Sequence, residues 1–430
     1  MDDDIFDAII VGGGMAGCTA AYELAKAGKE VLLIERGVFC GAKNMTGGRV
    51  YIHSLKKVWP HVEDQAPFER RVSHERISML TSDSAVALDF TSAQLVNAGR
   101  DSYTVLRSTF DRWMAEQAEA AGAQIVCGVR VDDLIVRDGV VCGVVAGEDE
   151  LEARVTVLAD GVNSLLAQKL GYLKRPAPSQ VAVGCKEVIE LPAKVIEDRF
   201  QCAPGEGASC LFVGDATHGR VGGGFLYTNK DSVSLGVVAT LSDLVEGPVP
   251  VYQMMEDLKN HPAIAPIIAG GKIVEYSGHV VPEGGLAMVP KLCGPGVLVT
   301  GDAAMLCINL GYMVRGMDFA VASGQAAGQA AADAIEAGDL SETGLAGYRR
   351  RLEDSFVLKD MEAFQKFPAF MEGCTRLFAE YPQALCNMML GMFVVNGEPV
   401  RPLKSAVKEE VGKIGARRIF KDVRGGLNAL

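Results

Sequence analysis

The chain is poor in the residues that usually announce a catalytic constellation or a metal centre. Six histidines are scattered through 430 residues. No serine, histidine and carboxylate stand in a pattern that demands an acid, a base or a nucleophile, so no catalytic side chain is expected. No two of the eleven cysteines share a C-x-x-C spacing, which argues against a self-contained iron–sulfur or structural zinc site, and no metal ligand is expected. The start, MDDDIFD, is acidic and enters a strand directly, so no signal or transit peptide is expected. An odd number of cysteines in such a chain points to reduced, cytoplasmic thiols rather than a disulfide framework. No apolar run approaches the ~18–20 residues of a membrane span. Net positive charge is also missing: the balance is −12, which disfavours non-specific nucleic-acid binding. Aromatic residues make up 7% and charged residues 22%, against 49% hydrophobic. This is a globular composition, and the length allows about two or three domains.

What is abundant is glycine, and one stretch uses it with purpose: IFDAIIVGGGMAGCTAAYELAKAGKEVLLIER, Ile5 to Arg36. Ile5–Val11 is an apolar, β-branched run and predicts a buried strand. Gly12, Gly14 and Gly17 form G-x-G-x-x-G, Met15–Ala27 predicts an alanine-rich helix, and Val31–Ile34 a second strand ending at Glu35. Gly12 permits the tight turn, Gly14 lets backbone approach a pyrophosphate, and Gly17 lets helix and strand pack closely. The diphosphate would rest on the helix N-terminus, where unpaired N–H groups and the dipole favour anions. A carboxylate about 20 residues on is the expected acceptor for ribose hydroxyls, and Glu35 lies 23 residues beyond Gly12. The glycine motif alone is weak. Strand, helix and carboxylate together predict dinucleotide binding.

Further along, the segment after Arg36 to Arg49 reads as a loop making a second cofactor contact. Ser108 to Ala121 predicts an amphipathic helix, with Ser108 and Asp111 resembling a capping box. Arg107, just before it, is either a solvated charge or a partner for a phosphate. Ala123 to Val145 alternates strands about an Asp138-Gly139 turn. Leu151–Leu158 is a strand turning at Asp160-Gly161 toward a helix, where open α/β sheets place ligand contacts. Val181 to Thr240 is strand-rich, Met254–Leu258 belongs to a short helix, and Lys272–Val281 is strand. Val297–Thr300 runs into Gly301-Asp302, and Gly316 to Ala337 predicts a helix. Its Gly316, Ala320, Gly324 and Gly328 recur every fourth position, so one face can lie against other backbone. Ala384–Val395 is apolar but too short to span a bilayer; it suits a bilayer surface or a buried interface. Arg401 to Arg424 carries eight basic and three acidic residues, a solvated face or a dock for an acidic partner or anionic membrane.

Three motifs stand in order: the glycine turn with Glu35, Asp160-Gly161, and Gly301-Asp302. This set resembles the glutathione-reductase/aromatic-hydroxylase superfamily of FAD proteins. A closer resemblance covers nearly the whole chain. GAKNMTGG (Gly41–Gly48), GGGFLY (Gly222–Tyr227), YSGHVVPEGGLAMVPKL (Tyr276–Leu292) and LGYMVRGMD (Leu310–Asp318) are similar to the electron-transfer-flavoprotein:quinone oxidoreductase family. The likeness is to its shorter FixC branch, within the wider geranylgeranyl-reductase group.

The resemblance implies an α/β fold: a discontinuous, Rossmann-like FAD-binding domain, an inserted sheet-rich (α+β) substrate domain and a helical C-terminal tail. The expected boundaries are 1–67, 106–177 and 291–355 for the FAD domain, 68–105 and 178–290 for the quinone domain, and 356–430 for a partner- or membrane-docking region. It implies FAD contacts at Gly12, Gly14, Gly17, Glu35, Arg36, Gly47, Arg107, Asp302 and Gly311, and a quinone head group near Gly222 and Gly223. From residues alone, those two glycines would mark a bulge or turn. The helix after Asp302 would point its N-terminus at the flavin pyrimidine.

Longer family members carry a C-terminal 4Fe–4S domain. Here the tail has only Cys374 and Cys386, short of the cysteine set such a cluster needs. The implied partners are therefore the electron-transfer flavoprotein alpha and beta subunits, a separate ferredoxin-like iron–sulfur subunit and a quinone. The assembly would be electron-bifurcating, and the chain cytoplasmic or peripheral on the inner face of the membrane. Two rival readings are an NAD(P)H-dependent flavin monooxygenase or prenyl reductase, and a non-catalytic FAD-binding scaffold. His279 is the one histidine worth testing, since it lies in the segment near the quinone region.

Overall fold

A computed structural model describes residues 5–44, 48–97, 101–283 and 285–430. The chain divides into two compact units, each assembled from separated pieces: Met1–Glu69, Ala98–Ala177 and Val280–Ala363 in the first, and Arg70–Asn97, Pro178–His279 and Phe364–Leu430 in the second. The tail beyond residue 363 clusters with the sheet-rich unit instead of standing apart, and residues 280–290 join the first unit.

The first unit is built on a mainly parallel sheet. Its strand order is Cys293–Gly294, Val297–Val299, Asp149–Leu158, Ile5–Val11, Val31–Glu35, Gln124–Cys127. Ile5–Val11 pairs in parallel with both Asp149–Leu158 and Val31–Glu35. Parallel neighbours need a crossover, which the helix Met15–Lys26 provides. Helices cover such a sheet, so Ala8–Val11 and Val31–Ile34 are buried on both faces. A hairpin of Asp133–Arg137 and Val140–Ala146 attaches to this sheet. It turns at Asp138 and Gly139, both at positive φ as a type I′ turn requires.

The long helix Met317–Ala337 lies against Met15–Lys26 through its glycines. A Cβ on Gly324 would stand 2.3 Å from the Ala16 carbonyl oxygen, and one on Gly328 2.8 Å from that of Ala20. The fourfold spacing of small residues is thus the imprint of a close helix crossing. The segment expected as a loop to Arg49 ends earlier: Gly48–Tyr51 is a strand, antiparallel to Ser102–Val105. So short a strand carries no periodic signal of its own.

In the second unit the sheet runs Lys272–Pro282, Val181–Glu190, Ser232–Thr240, Gly222–Thr228, Glu206–Gly214, Arg71–Leu80, with Ala85–Thr91 paired to the last. One face forms the core. Cys185, Ile189, Cys210, Phe212, Leu226, Leu235 and Val237 pack there with Ile196 and Phe200 of helix Ala193–Phe200, and with Met254, Met255 and Leu258 of helix Val251–Asn260. The tail contributes the helices Glu380–Phe393, Leu403–Ile414 and Ala416–Ala429. Among the described residues no helix is long and apolar enough to cross a membrane.

Candidate functional site

The glycine turn is held by contacts that leave no room for side chains. Gly12 has φ +107°, and a Cβ there would lie 2.3 Å from the Ala159 carbonyl oxygen; one on Gly17 would lie 1.9 Å from the carbonyl oxygen of Gly12. Gly14 differs. Among the described residues only Asn44 Nδ2, at 3.9 Å, stands within 4 Å of its absent Cβ, so those residues leave the space open. Gly14 also caps helix Met15–Lys26, whose first turn has no side-chain cap and no acidic residue. An uncapped N-terminus facing an open cradle is what a diphosphate requires, and the residues present fit that group.

Glu35 is buried and already engaged. Its Oε2 accepts the Gly13 N–H at 2.7 Å and its Oε1 the Gly37 N–H at 2.6 Å. It therefore ties the turn to the following loop, a duty the spacing did not reveal. A carboxylate oxygen can accept a second bond, so its capacity for ribose hydroxyls remains. Arg36 is exposed, and its charge acts on Asp160. Burial pushes the Asp160 carboxyl up to about 6, against the pull of backbone amides and Arg36, and its Oδ1 is buried without a hydrogen-bond partner.

The three motifs meet. Ala159 touches Gly12, and Gly301 (φ +63°) places its missing Cβ 2.7 Å from Ala16 Cβ. The Gly301 N–H donates to Ser323 Oγ at 3.1 Å, and the Ser164 hydroxyl to the Ala303 carbonyl at 2.8 Å. Asp302 is thereby carried to the start of the first helix. Burial raises its carboxyl pKa while the nearby Arg107 guanidinium lowers it.

Arg107 is neither a free charge nor outside its helix. It opens Arg107–Ala120 and forks onto Asp111, Nε to Oδ1 and Nη2 to Oδ2, both at 2.7 Å. Burial opposes its charge, but the carboxylates of Asp111 and Asp302 more than restore it. The Asn44 side-chain amide also donates to Asp111. The capping box expected from Ser108 and Asp111 does not form: Leu106 is the N-cap without a side-chain bond, because Asp111 turns inward to Arg107. Gly311 (φ +73°) sits in an exposed turn, its N–H on Asn309 Oδ1 at 2.9 Å. Gly47 lies outside the described residues.

One cluster escaped the sequence entirely. At the start of helix Met317–Ala337, Asp318 is 1% exposed. Its Oδ2 receives Arg315 Nε at 2.8 Å and lies 3.1 Å from His53 Nε2. Arg315 also reaches Asp360 at 2.6 Å and lies over the Phe319 and Phe356 rings. His53 and Asp318 are 265 residues apart, so no spacing could announce them.

In the second unit, Gly222 (φ +145°) and Gly223 begin a strand. Added Cβ atoms would meet the Val238 carbonyl oxygen at 2.2 Å and the Phe212 carbonyl oxygen at 2.6 Å. Strand packing alone accounts for glycine at both. Among the described residues, only the Phe212 carbonyl group comes within 4 Å of the atom added at Gly223. His279 lies partly buried in the strand Lys272–Pro282.

Comparison with known proteins converges on one family. Residues 7–113 match the family described as FAD dependent oxidoreductase, 181–281 that described as ETF-QO, ubiquinone-binding, and 367–430 the ETF-QO/FixC family C-terminal domain. The chain is 50% identical to Protein FixC of Salmonella typhimurium over 430 residues, the whole of both chains. It is 51% identical over the same full length to a probable electron transfer flavoprotein-quinone oxidoreductase, YdiS, of Escherichia coli. Among solved structures, a geranylgeranyl bacteriochlorophyll reductase-like protein from Thermoplasma acidophilum aligns over 98% of this chain and 99% of its own. The TM-score is 0.71 at 19% identity, a likeness of fold. The chain is an FAD-dependent oxidoreductase of the electron-transfer-flavoprotein:quinone oxidoreductase family, FixC branch.

Proposed function

We propose that this chain carries electrons from an electron-transfer flavoprotein, working with a ferredoxin-like iron–sulfur subunit, through FAD to a membrane quinone. The observation that carries this reading is the match of residues 181–281, nearly all within the second unit, to the quinone-binding family domain. The tail, where Cys374 and Cys386 are both buried and free, supports the reading of a separate iron–sulfur subunit. Among the described residues no cluster of metal ligands exists. We place the protein in an electron-bifurcating complex on the strength of family membership.

FAD supplies the redox chemistry, accepting electrons one or two at a time. The chain's own residues bind and tune it. The N–H groups at the start of helix Met15–Lys26 would hold the diphosphate, with Gly14 leaving it space. Gly12 and Gly17 keep the turn tight, while Glu35 would take ribose hydroxyls with Arg36 beside it. Arg107, Asp302 and Gly311 would add further contacts, as would Gly47, which lies outside the described residues. The N-terminus of helix Met317–Ala337 would offer a positive dipole end to the flavin.

Peripheral attachment to the inner membrane face belongs to the same reading. Leu390, Phe393, Val394 and Val395 are exposed at the end of one tail helix, and Phe420 and Leu427 on another, the latter pair 69% and 73% exposed. Arg417, Arg418, Lys421 and Arg424 lie exposed on that same helix. An apolar face bordered by cations suits an anionic bilayer surface.

A reconstituted quinone-reductase assay tests the proposal by omission. Activity should require this chain, the electron-transfer flavoprotein and the ferredoxin-like subunit together. NAD(P)H-driven turnover by this chain alone would move it among the monooxygenases and prenyl reductases.

A further inference from the structure

At the start of helix Met317–Ala337 a charged group is one proton away from balance. Arg315 donates to Asp318 through Nε at 2.8 Å and Nη2 at 2.5 Å, and to Asp360 through Nη1 at 2.6 Å. One guanidinium thus stands against two carboxylates. Burial works against its charge, and the carboxylates more than restore it. His53 can supply the missing cation. Its Nε2 lies 3.1 Å from Asp318 Oδ2, and its ring meets the Phe356 ring edge-on at 4.8 Å. Arg315 Nη2 is 3.4 Å from that same nitrogen, so Asp318 faces both groups. His53 Nδ1 lies 3.4 Å from Ser54 Oγ, a hydroxyl that donates to a bare ring nitrogen and accepts from a protonated one. Both charge states of the imidazole therefore find a partner in place. The His53 side chain is 35% exposed and that of Asp318 1%, so a proton arriving from solvent acts on a buried carboxylate. Other charges stand on the elements packed here. On the helix His53–Val58, Lys56 pairs with Glu63 at 2.8 Å and stands 3.6 Å from Asp101, and Lys57 is exposed. On the helix Phe356–Ala363, Lys359 donates to the Asp354 carbonyl and Glu362 is exposed.

Contacts within the first unit link this group to the cofactor cradle. Asp302 acts electrostatically on Arg107 and on Cys307. Arg107 forks onto Asp111, which receives the Asn44 amide that stands beside Gly14. On the other side of Asp302, Cys307 Cβ lies 3.6 Å from where a Cβ on Gly316 would be, and Gly316 is the N-cap of helix Met317–Ala337. Met317, the first residue of that helix, reaches back to Gly48, its Cε 3.2 Å from a Cβ added there. No side chain caps this terminus: Asp318, the acid of its first turn, is turned to Arg315 and His53. The positive end of the helix and the carboxylate that His53 faces are thus one turn of the same element.

We propose that His53 is a positioning residue of the redox centre, taking up a proton from solvent when the flavin is reduced and so coupling the reduction potential to pH. This rests on the reading above that the start of helix Met317–Ala337 faces the flavin. The donor protein supplies the two electrons. At His53 an Nδ1–H bond forms with a proton from water, and no other bond in the cluster changes. The imidazolium completes the charge balance around Asp318 and offsets negative charge that the electrons bring to the helix start. The coupling is reciprocal: if protonated His53 favours reduction, reduction favours protonated His53 by the same factor. Imidazole is the side chain whose ordinary charge change lies near neutral pH. Under acid conditions the ring is charged in both redox states and holds the potential up. Under alkaline conditions it is neutral in both, and that lift is gone.

The experiment uses the full chain with FAD bound, as wild type, His53→Gln, His53→Asn and Met317→Lys. The flavin midpoint potential is measured by dye equilibration from about pH 5 to about pH 9, either side of the imidazole range. Proton uptake on photoreduction is read from an indicator dye in weak buffer near neutral pH. At the acid end, the wild-type potential should stand above that of His53→Gln by tenfold in the reduction equilibrium, about 30 mV for a two-electron couple. The two curves should meet at the alkaline end. Wild type should also take up more protons on reduction than His53→Gln. His53→Asn, a smaller neutral side chain, should follow His53→Gln, so the result does not depend on how one variant folds. Met317→Lys places a fixed cation at the helix start and should raise the potential at every pH. A His53→Gln curve that tracks wild type throughout, or is offset equally at every pH, overturns the role of His53. If Met317→Lys still raises the potential, the placement of the helix by the flavin stands. Potentials that neither substitution moves overturn both.

Discussion

Gly14 and Gly17 share one motif but answer to different demands, and single substitutions separate them. Gly17→Ala drives a methyl into the Gly12 carbonyl oxygen and should destabilise the FAD-free fold by about 3 kcal/mol. Gly14→Ala meets open space and should leave the FAD-free melting temperature within a degree or two, while lowering FAD affinity at least tenfold in a fluorescence titration. A second residue-scale expectation concerns pH. Asp160 holds its proton to about pH 6 in the folded chain, well above an unfolded aspartate. A raised acid pKa favours the fold while the group is protonated, and that advantage is lost as pH rises through this window. Asp160→Asn should therefore stabilise the FAD-free protein by about 2 kcal/mol at pH 7.5, and by nothing at pH 3.5. Denaturant melts at the two pH values check this. The residue scale is also where reading the sequence succeeded and failed most clearly. The backbone roles of Gly12 and Gly17 were legible because a tight turn and a close packing each leave a local signature. Glu35's grip on Gly13 and Gly37, and Arg107's fork onto Asp111, were not. In both, a polar side chain had two local partners within reach, and only the folded backbone decides between them.

At the scale of elements, the pairing of Met15–Lys26 with Met317–Ala337 joins the first motif to the third. Gly324→Val should break it, costing about 3 kcal/mol through the Ala16 carbonyl. Gly412→Ala, in the helix Leu403–Ile414 with nothing within 4 Å of an added Cβ, should instead stabilise by about 0.5–1 kcal/mol. Thermal melts of the two variants should move in opposite directions. The strand Ile5–Val11 was legible to its ends because a central parallel strand is apolar on both faces. Gly48–Tyr51 was not, since its partner Ser102–Val105 lies far along the chain and neither has length enough for a period. The cluster of His53, Arg315, Asp318 and Asp360 belongs to this scale too. Its members come from separate elements, and Asp318→Asn should cost about 3 kcal/mol by weakening a buried charge network.

For the molecule as a whole, the α/β class, the discontinuous FAD unit and the family were readable because motif order and long strings survive without structure. The grouping of the tail with the sheet-rich unit was not, since it depends on packing such as Gly214 against Pro382 and on the anchoring of Asp422 by Arg376 and Tyr381. The functional claim also lives at this scale, because electrons must enter from one protein and leave on a small molecule. Anaerobic stopped-flow spectroscopy of the bound flavin tests it most directly. The chain is mixed first with NADH alone, then with reduced electron-transfer flavoprotein plus the ferredoxin-like subunit, and finally with a menaquinone or ubiquinone analogue. The account predicts that NADH alone leaves the flavin oxidised, that the partner proteins reduce it, and that the quinone reoxidises it. Rapid reduction by NAD(P)H without the partners, or a reduced flavin that no quinone reoxidises, would contradict it.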